Sequence, residues 1–150
     1  MQKINNKLAV HGFDWDWDKM EEINESVHEY ESDNFGVIDK NSKFNRTGKK
    51  LDDWIIVDCR TLLDDWVNDE DEYKELIDFG CMFLENNFKV VCCCSAGQSR
   101  SSTIAIGILV QHFKMNFYDA MELVREKNSV YNAAPQHLSS IKHIYGVTLP

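Results

Sequence analysis

A chain of 150 residues with 43% hydrophobic content can bury one core and is short for two, so the sequence predicts a single domain over 1–150. Its formal net charge of −9 excludes a tight, sequence-independent hold on nucleic acid, which rests on neutralising phosphates with Lys and Arg, so any anion site must be local. No apolar run reaches the roughly 18 residues that span a bilayer and 1–10 lacks the apolar core of a signal peptide, so the expectation is a cytoplasmic or nuclear monomer without a membrane partner.

The first segment opens with a short apolar stretch, Leu8 to Val10, and then turns acidic. Asp14, Asp16 or Asp18 suits the cap of a helix through Met20, Ile23 and Val27. A short strand is expected at Gly36 to Ile38, followed by a polar rim loop, "KNSKFNRTGKK". "WIIVDC", Trp54 to Cys59, has the length and β-branching of a buried strand. After the carboxylate-rich "RTLLDDWVNDEDEY", Leu76, Ile77, Phe79, Gly80, Phe83 and Leu84 recur on one side of a helix that Asn86 and Asn87 suit as an end. "FKVVCC" is the next strand, and strand, helix, strand is the unit of a parallel sheet. Thr103 to Val110 is apolar all round, as in a helix buried within a domain. Two further helices follow, one with Phe117, Ala120, Met121 and Val124 inward and one starting at Pro135. The fold class is therefore α/β: one compact domain with a central, mostly parallel sheet flanked by helices.

The stretch "VVCCCSAGQSRSS" carries the chemistry. Five cysteines, three of them adjacent, cannot form an ordinary disulfide framework, and reduced thiols are expected. Consecutive strand residues point to alternate faces, so Cys92, Cys93 and Cys94 cannot converge on one metal ion. No metal and no cofactor is expected. Instead, Cys94 ends a buried strand, five small or polar residues follow, and Arg100 starts a helix. Such a turn forms a nest of backbone N–H groups, and the helix N-terminus adds partial positive charge. Ser95, Ala96 and Ser99 are small enough, and Gly97 free enough, for the backbone from Ser95 through Gln98 to Ser99 to curl around an oxyanion, while the Arg100 fork holds two of its oxygens. The same field favours the Cys94 thiolate, a nucleophile toward phosphorus. The loop lacks the Gly-Lys-Ser/Thr ending of a nucleotide-binding loop.

"CSAGQSRSS" resembles the signature of the cysteine-dependent protein phosphatases, and its "AG-any-SRS" form is most similar to the dual-specificity branch. The likeness extends more loosely from about Ile4 to Tyr145, with "DAMELVREKN" similar to the helix that follows that family's central one. The resemblance implies a protein tyrosine phosphatase-like fold and a two-step reaction on a phosphorylated protein, phosphotyrosine with or without phosphoserine and phosphothreonine. In it Cys94 forms a phosphocysteine, Arg100 and the amides of Ser95 to Ser99 bind the oxygens, and Ser101 helps the thiolate leave. It further implies an aspartate acting as acid and then base, about thirty residues before the nucleophile. Asp64 and Asp65 stand thirty and twenty-nine residues before Cys94. Asp64 is the first candidate, Asp65 the second and Asp58, at the end of the "WIIV" strand, the third.

Two points remain open at the level of sequence. The family places a histidine immediately before the nucleophile, where this chain has Cys93. A thiol is a weak donor without charge, so lower activity rather than none is expected, and a pseudophosphatase that binds phosphorylated partners without efficient turnover is the alternative. Some relatives protect the nucleophile by a disulfide to a second cysteine, and Cys59 is the candidate here against a plain buried thiol. His137 and His143 read as surface or packing residues.

Overall fold

The structure is a computed structural model that describes residues 1–15, 47–64 and 68–147. The expected helix through Met20, Ile23 and Val27, the strand at Gly36 to Ile38, and Asp65 lie outside the described residues. The described elements run β1 (Gln2–Lys3), β2 (Leu8–Gly12), a 3-10 turn (Phe13–Trp15), β3 (Thr47–Leu51), β4 (Trp54–Asp58) and a second 3-10 turn (Cys59–Thr61). They continue with α1 (Glu70–Glu85), β5 (Lys89–Cys94), α2 (Arg100–Gln111), α3 (Phe117–Lys127) and α4 (Pro135–Ile144).

The five strands form one sheet in the order β1-β2-β5-β4-β3. β5 lies at its centre, parallel to β2 on one side and to β4 on the other. A strand flanked on both edges and covered on both faces must be apolar throughout, which is why "VVCCC" has no polar alternation. The two outer pairings are antiparallel, so the expected mostly parallel sheet is a mixed one whose parallel part is its middle. β3 corrects a second expectation, since its Thr47–Leu51 falls in the stretch read as a polar rim loop. An edge strand needs partners on one side only, so it can form from polar sequence where a central strand would not.

The pleat separates two cores. Val10, Val57, Val90, Cys92 and Cys94 face a cluster to which all four described α-helices contribute, with Ile77, Ile104, Ile108, Phe117, Val124 and Ile141 among its members. Ala9, Ile56, Val91 and Cys93 face the other side with Phe13, Leu51 and Trp54. α2 runs through the first cluster with every residue from Arg100 to Leu109 buried, as its all-round apolar sequence requires. Around it, α1 carries Glu70, Asp71 and Glu72 in its first turn, where acidic side chains complement the helix dipole. α3 is capped by Asn116, whose side chain accepts from the Asp119 amide at 2.9 Å. Pro135 occupies the first turn of α4. Among the described residues no helix is long and apolar enough to cross a membrane.

Candidate active site

The site lies where β5 hands the chain to α2. Cys94 is the last residue of β5 and Arg100 the first of α2, leaving Ser95 to Ser99 to turn between them. Their carbonyls are drawn outward by donors from four other segments. The Asp14 amide donates to the Ser95 carbonyl oxygen at 2.8 Å and the Asn132 amide to that of Gln98 at 3.0 Å. Asn128 Nδ2 donates to the Gly97 oxygen at 2.8 Å. The Thr103 amide and hydroxyl both donate to the Ser99 oxygen, at 2.9 and 2.8 Å. In a planar trans peptide the N–H points opposite to the C=O, so the amides of Ala96, Gln98, Ser99 and Arg100 are turned to the inside of the loop. That is the arrangement of an oxyanion nest.

Two glycines permit it. Gly97 has φ +72°, in the left-handed region that favours glycine. Gly12, at the end of β2, lies directly behind the loop, and a β-carbon there would be 2.5 Å from the carbonyl carbon of Ala96.

Cys94 is 2% exposed, and its Sγ is 3.2 Å from Ser101 Oγ. Arg100 is also buried, its fork held by the Leu62 carbonyl oxygen, which accepts from NH1 at 3.1 Å, and by Ser95 Oγ, which accepts from NH2 at 3.4 Å. The carboxylate beside it is Asp64, whose Oδ1 is 3.7 Å from Arg100 Nε and which is itself half exposed. A buried cation with so loose a counterion favours a second anion beside it.

Two of the three acid candidates lie among the described residues. Asp64 stands at the Arg100 side of the loop. Asp65 lies outside the described residues. Asp58 is fully buried and its carboxylate is occupied by Arg60, which donates from Nε at 3.0 Å and from NH2 at 2.7 Å. Arg60 in turn stacks over the Phe13 ring at 4.6 Å, so this pair is a strut between β4 and the turn after β2.

The remaining cysteines are reduced and buried. Cys92 belongs to the helix-side core. Cys93 faces the opposite core, and burial, then the Asp58 charge, push its thiol up, so it brings no charge to the loop. Cys59 shares the helix-side cluster with Cys94. Burial, a hydrogen bond with Cys92 and the neighbouring Cys92, Cys94 and Asp58 charges hold its thiol well above the ordinary range.

Two residues of the site carry little signal in the sequence. Asn128 reads there only as the polar end of a helix, yet it is 1% exposed and bonds both the Gly97 carbonyl and Ser102 Oγ, the latter at 2.9 Å. His137 is fully buried, with Nε2 3.8 Å from Asp64 Oδ1. His143, by contrast, is largely exposed and pairs with Glu70.

Comparison with known proteins bears on the fold and the family. The fold is similar to that of Tk-PTP in its active form, with a TM-score of 0.63 over 98% of this chain and 97% of that one at 12% identity. It is similar also to Cydia pomonella PTP-2 phosphatase, with a TM-score of 0.57 over 95% and 88% of the two chains at 20% identity. A human tyrosine phosphatase-like serine/threonine/tyrosine-interacting protein aligns at 22% identity and a TM-score of 0.48 over 53% of each chain, so the match spans about half of that relative's length. No curated protein matches the chain by sequence. The family described as "Dual specificity phosphatase, catalytic domain" matches residues 2–145, nearly the whole chain, and the protein belongs to that family.

Proposed function

We propose that the chain is a metal-independent phosphatase that hydrolyses phosphotyrosine, with or without phosphoserine and phosphothreonine, in cytoplasmic or nuclear proteins by way of a phosphocysteine. The observation that carries this reading is the convergence of a thiol, a buried guanidinium and a half-exposed carboxylate on one loop of inward amides. Cys94, as thiolate, attacks phosphorus in line with the ester oxygen. The P–O bond breaks, and protonated Asp64 gives its proton to the departing oxygen. Arg100 and the amides of Ala96, Gln98, Ser99 and Arg100 hold the equatorial oxygens, whose charge they match throughout. A water then attacks the phosphocysteine while the Asp64 carboxylate takes its proton. The S–P bond breaks with its electron pair on Sγ, where the Ser101 hydroxyl donates to the thiolate that forms.

One observation favours a second reading. Cys93 is an uncharged buried thiol where relatives carry a histidine, so binding of phosphorylated partners without efficient turnover is the alternative. Hydrolysis of para-nitrophenyl phosphate with chelator and reductant present separates the two. Turnover that Cys94→Ser abolishes, with a trapped phosphocysteine in acid-quenched Asp64→Asn, is the expected result. Wild-type protein indistinguishable from Cys94→Ser across the pH range would sink the catalytic reading in favour of the binding one.

A further inference from the structure

Asp64 is tied to the interior by a chain of side chains. Asn68 accepts from the Leu63 amide through Oδ1 at 2.8 Å, which fixes which end of its amide is oxygen. Its Nδ2 donates to the Leu63 carbonyl oxygen at 3.0 Å and to the Tyr73 hydroxyl at 3.2 Å. The Tyr73 oxygen is thus an acceptor toward Asn68, and its single hydrogen is available to His137 Nδ1, 2.6 Å away. An imidazole that accepts at Nδ1 carries its neutral-state hydrogen on Nε2. Tyr73 and His137 are both fully buried, so water does not scramble this order.

His137 Nε2 is buried and has no hydrogen-bond partner among the described residues. The carboxylate it faces is that of Asp64, with Oδ1 at 3.8 Å, slightly too far for a hydrogen bond. On its other side the same Oδ1 is 3.7 Å from Arg100 Nε. Gln136 Nε2 reaches only the Asp64 backbone oxygen, at 3.3 Å. An oxyanion in the loop takes the Arg100 fork, since two charged acceptors compete for it and the dianion is the stronger. Among the described residues, the partner then left beside Asp64 Oδ1 is His137.

We propose that His137 is a positioning residue for Asp64: its Nε2–H, oriented by the chain through Tyr73 and Asn68, closes onto Oδ1 when an oxyanion occupies Arg100. Donation to Oδ1 leaves Oδ2 as the proton-carrying oxygen in the first step and the proton-accepting one in the second, so one contact serves both. The inference rests on the reading of Asp64 as acid and base, and it is tested with and without turnover.

Nitrogen-15 NMR of the free protein reads the tautomer directly. Nε2–H is expected in wild type and a mixture of tautomers in Tyr73→Phe, which keeps the ring in the core. Added inorganic phosphate is expected to move the Nε2–H proton downfield as the contact forms, and Asp64→Ala is expected to remove that shift. Turnover supplies the second arm. His137→Phe is expected to lower kcat/KM, which reads the first step alone, about tenfold for phenyl phosphate, a poor leaving group, with a smaller loss for para-nitrophenyl phosphate. His137→Gln, which restores an N–H donor, should recover part of the loss. An Nδ1–H tautomer in wild type, a Nε2–H proton indifferent to phosphate, or equal losses of kcat/KM on both esters would overturn the assignment. If wild type hydrolyses neither ester, the phosphatase reading fails, and the phosphate-dependent proton shift still decides whether His137 closes onto Asp64.

Discussion

The end of β2 and the phosphate loop are packed backbone to backbone: a β-carbon on Gly12 would sit 2.5 Å from the carbonyl carbon of Ala96 and 2.6 Å from its oxygen. Gly97 returns the contact, since a β-carbon there would be 2.8 Å from the Gly12 nitrogen. Because the obstructing atoms are backbone, no rotamer change relieves the clash, and Gly12→Ala must displace the loop. The expected cost is about 1–3 kcal/mol of stability, as for other overpacking substitutions. Turnover should fall further than that cost explains, because the amides of Gln98 and Ser99 move with the loop. Urea denaturation beside steady-state kinetics on para-nitrophenyl phosphate checks this. Full activity in a destabilised Gly12→Ala protein would show that the loop tolerates the shift.

Asn128 is the second brace of the loop. It donates from one amide nitrogen to the Gly97 carbonyl oxygen and to Ser102 Oγ, tying the end of α3 to both loop and α2. Asn128→Ala leaves the buried Gly97 carbonyl without this donor and is expected to destabilise the fold by about 1–3 kcal/mol. Asn128→Asp is nearly isosteric but sets a carboxylate against a carbonyl oxygen, so it should be the worse of the two at neutral pH. The order of their urea midpoints tests the orientation of the amide, and the reverse order would contradict it.

Parts of this arrangement are legible in the sequence. "CSAGQSR" specifies the loop because its conditions are local: a strand end, small residues, a glycine and an arginine at a helix start. The burial of α2 is equally local, since its apolar run leaves no polar face. The braces are long-range. His137 meets Tyr73 across 64 residues of chain, and nothing in "PQHLSSIKHI" marks one histidine as buried and the other as exposed. Asn128 reaches Gly97 across 31. The strand at Thr47–Leu51 was hidden because edge strands need little apolar sequence. Asp58 stayed open as an acid because the arginine that occupies it, Arg60, is only two residues away and is brought back onto it by the 3-10 turn.

That pair yields a test of its own. Asp58 and Arg60 are 0% and 3% exposed, so each is the other's compensation for desolvation. Arg60→Met strands a buried carboxylate and is expected to cost about 3–5 kcal/mol. Replacing both partners, Arg60→Met with Asp58→Leu, removes the stranded charge and should recover most of that loss. Equilibrium unfolding in urea of the single and double variants measures the difference. A double variant as unstable as the single one would mean that Arg60 stabilises mainly through its stacking on Phe13.

His137 makes stability depend on pH in a stated direction. Burial holds its folded-state value below the ordinary 6.5, against a smaller opposing pull from Asp64. Below 6.5 the unfolded chain therefore binds a proton that the folded chain does not, and stability rises with pH wherever the unfolded state holds more protons. The contribution is complete above 6.5 and is lost as pH falls from there through the lowered folded value. Protonation also places a hydrogen on Nδ1, so the Tyr73 hydroxyl must turn from donor to acceptor toward the ring. His137→Phe removes both effects. Its urea midpoint, subtracted from that of wild type, should vary with pH below 6.5 and be flat above. A difference that is flat throughout, or that grows above 6.5, would mean that the histidine is accommodated in its charged form in the folded protein.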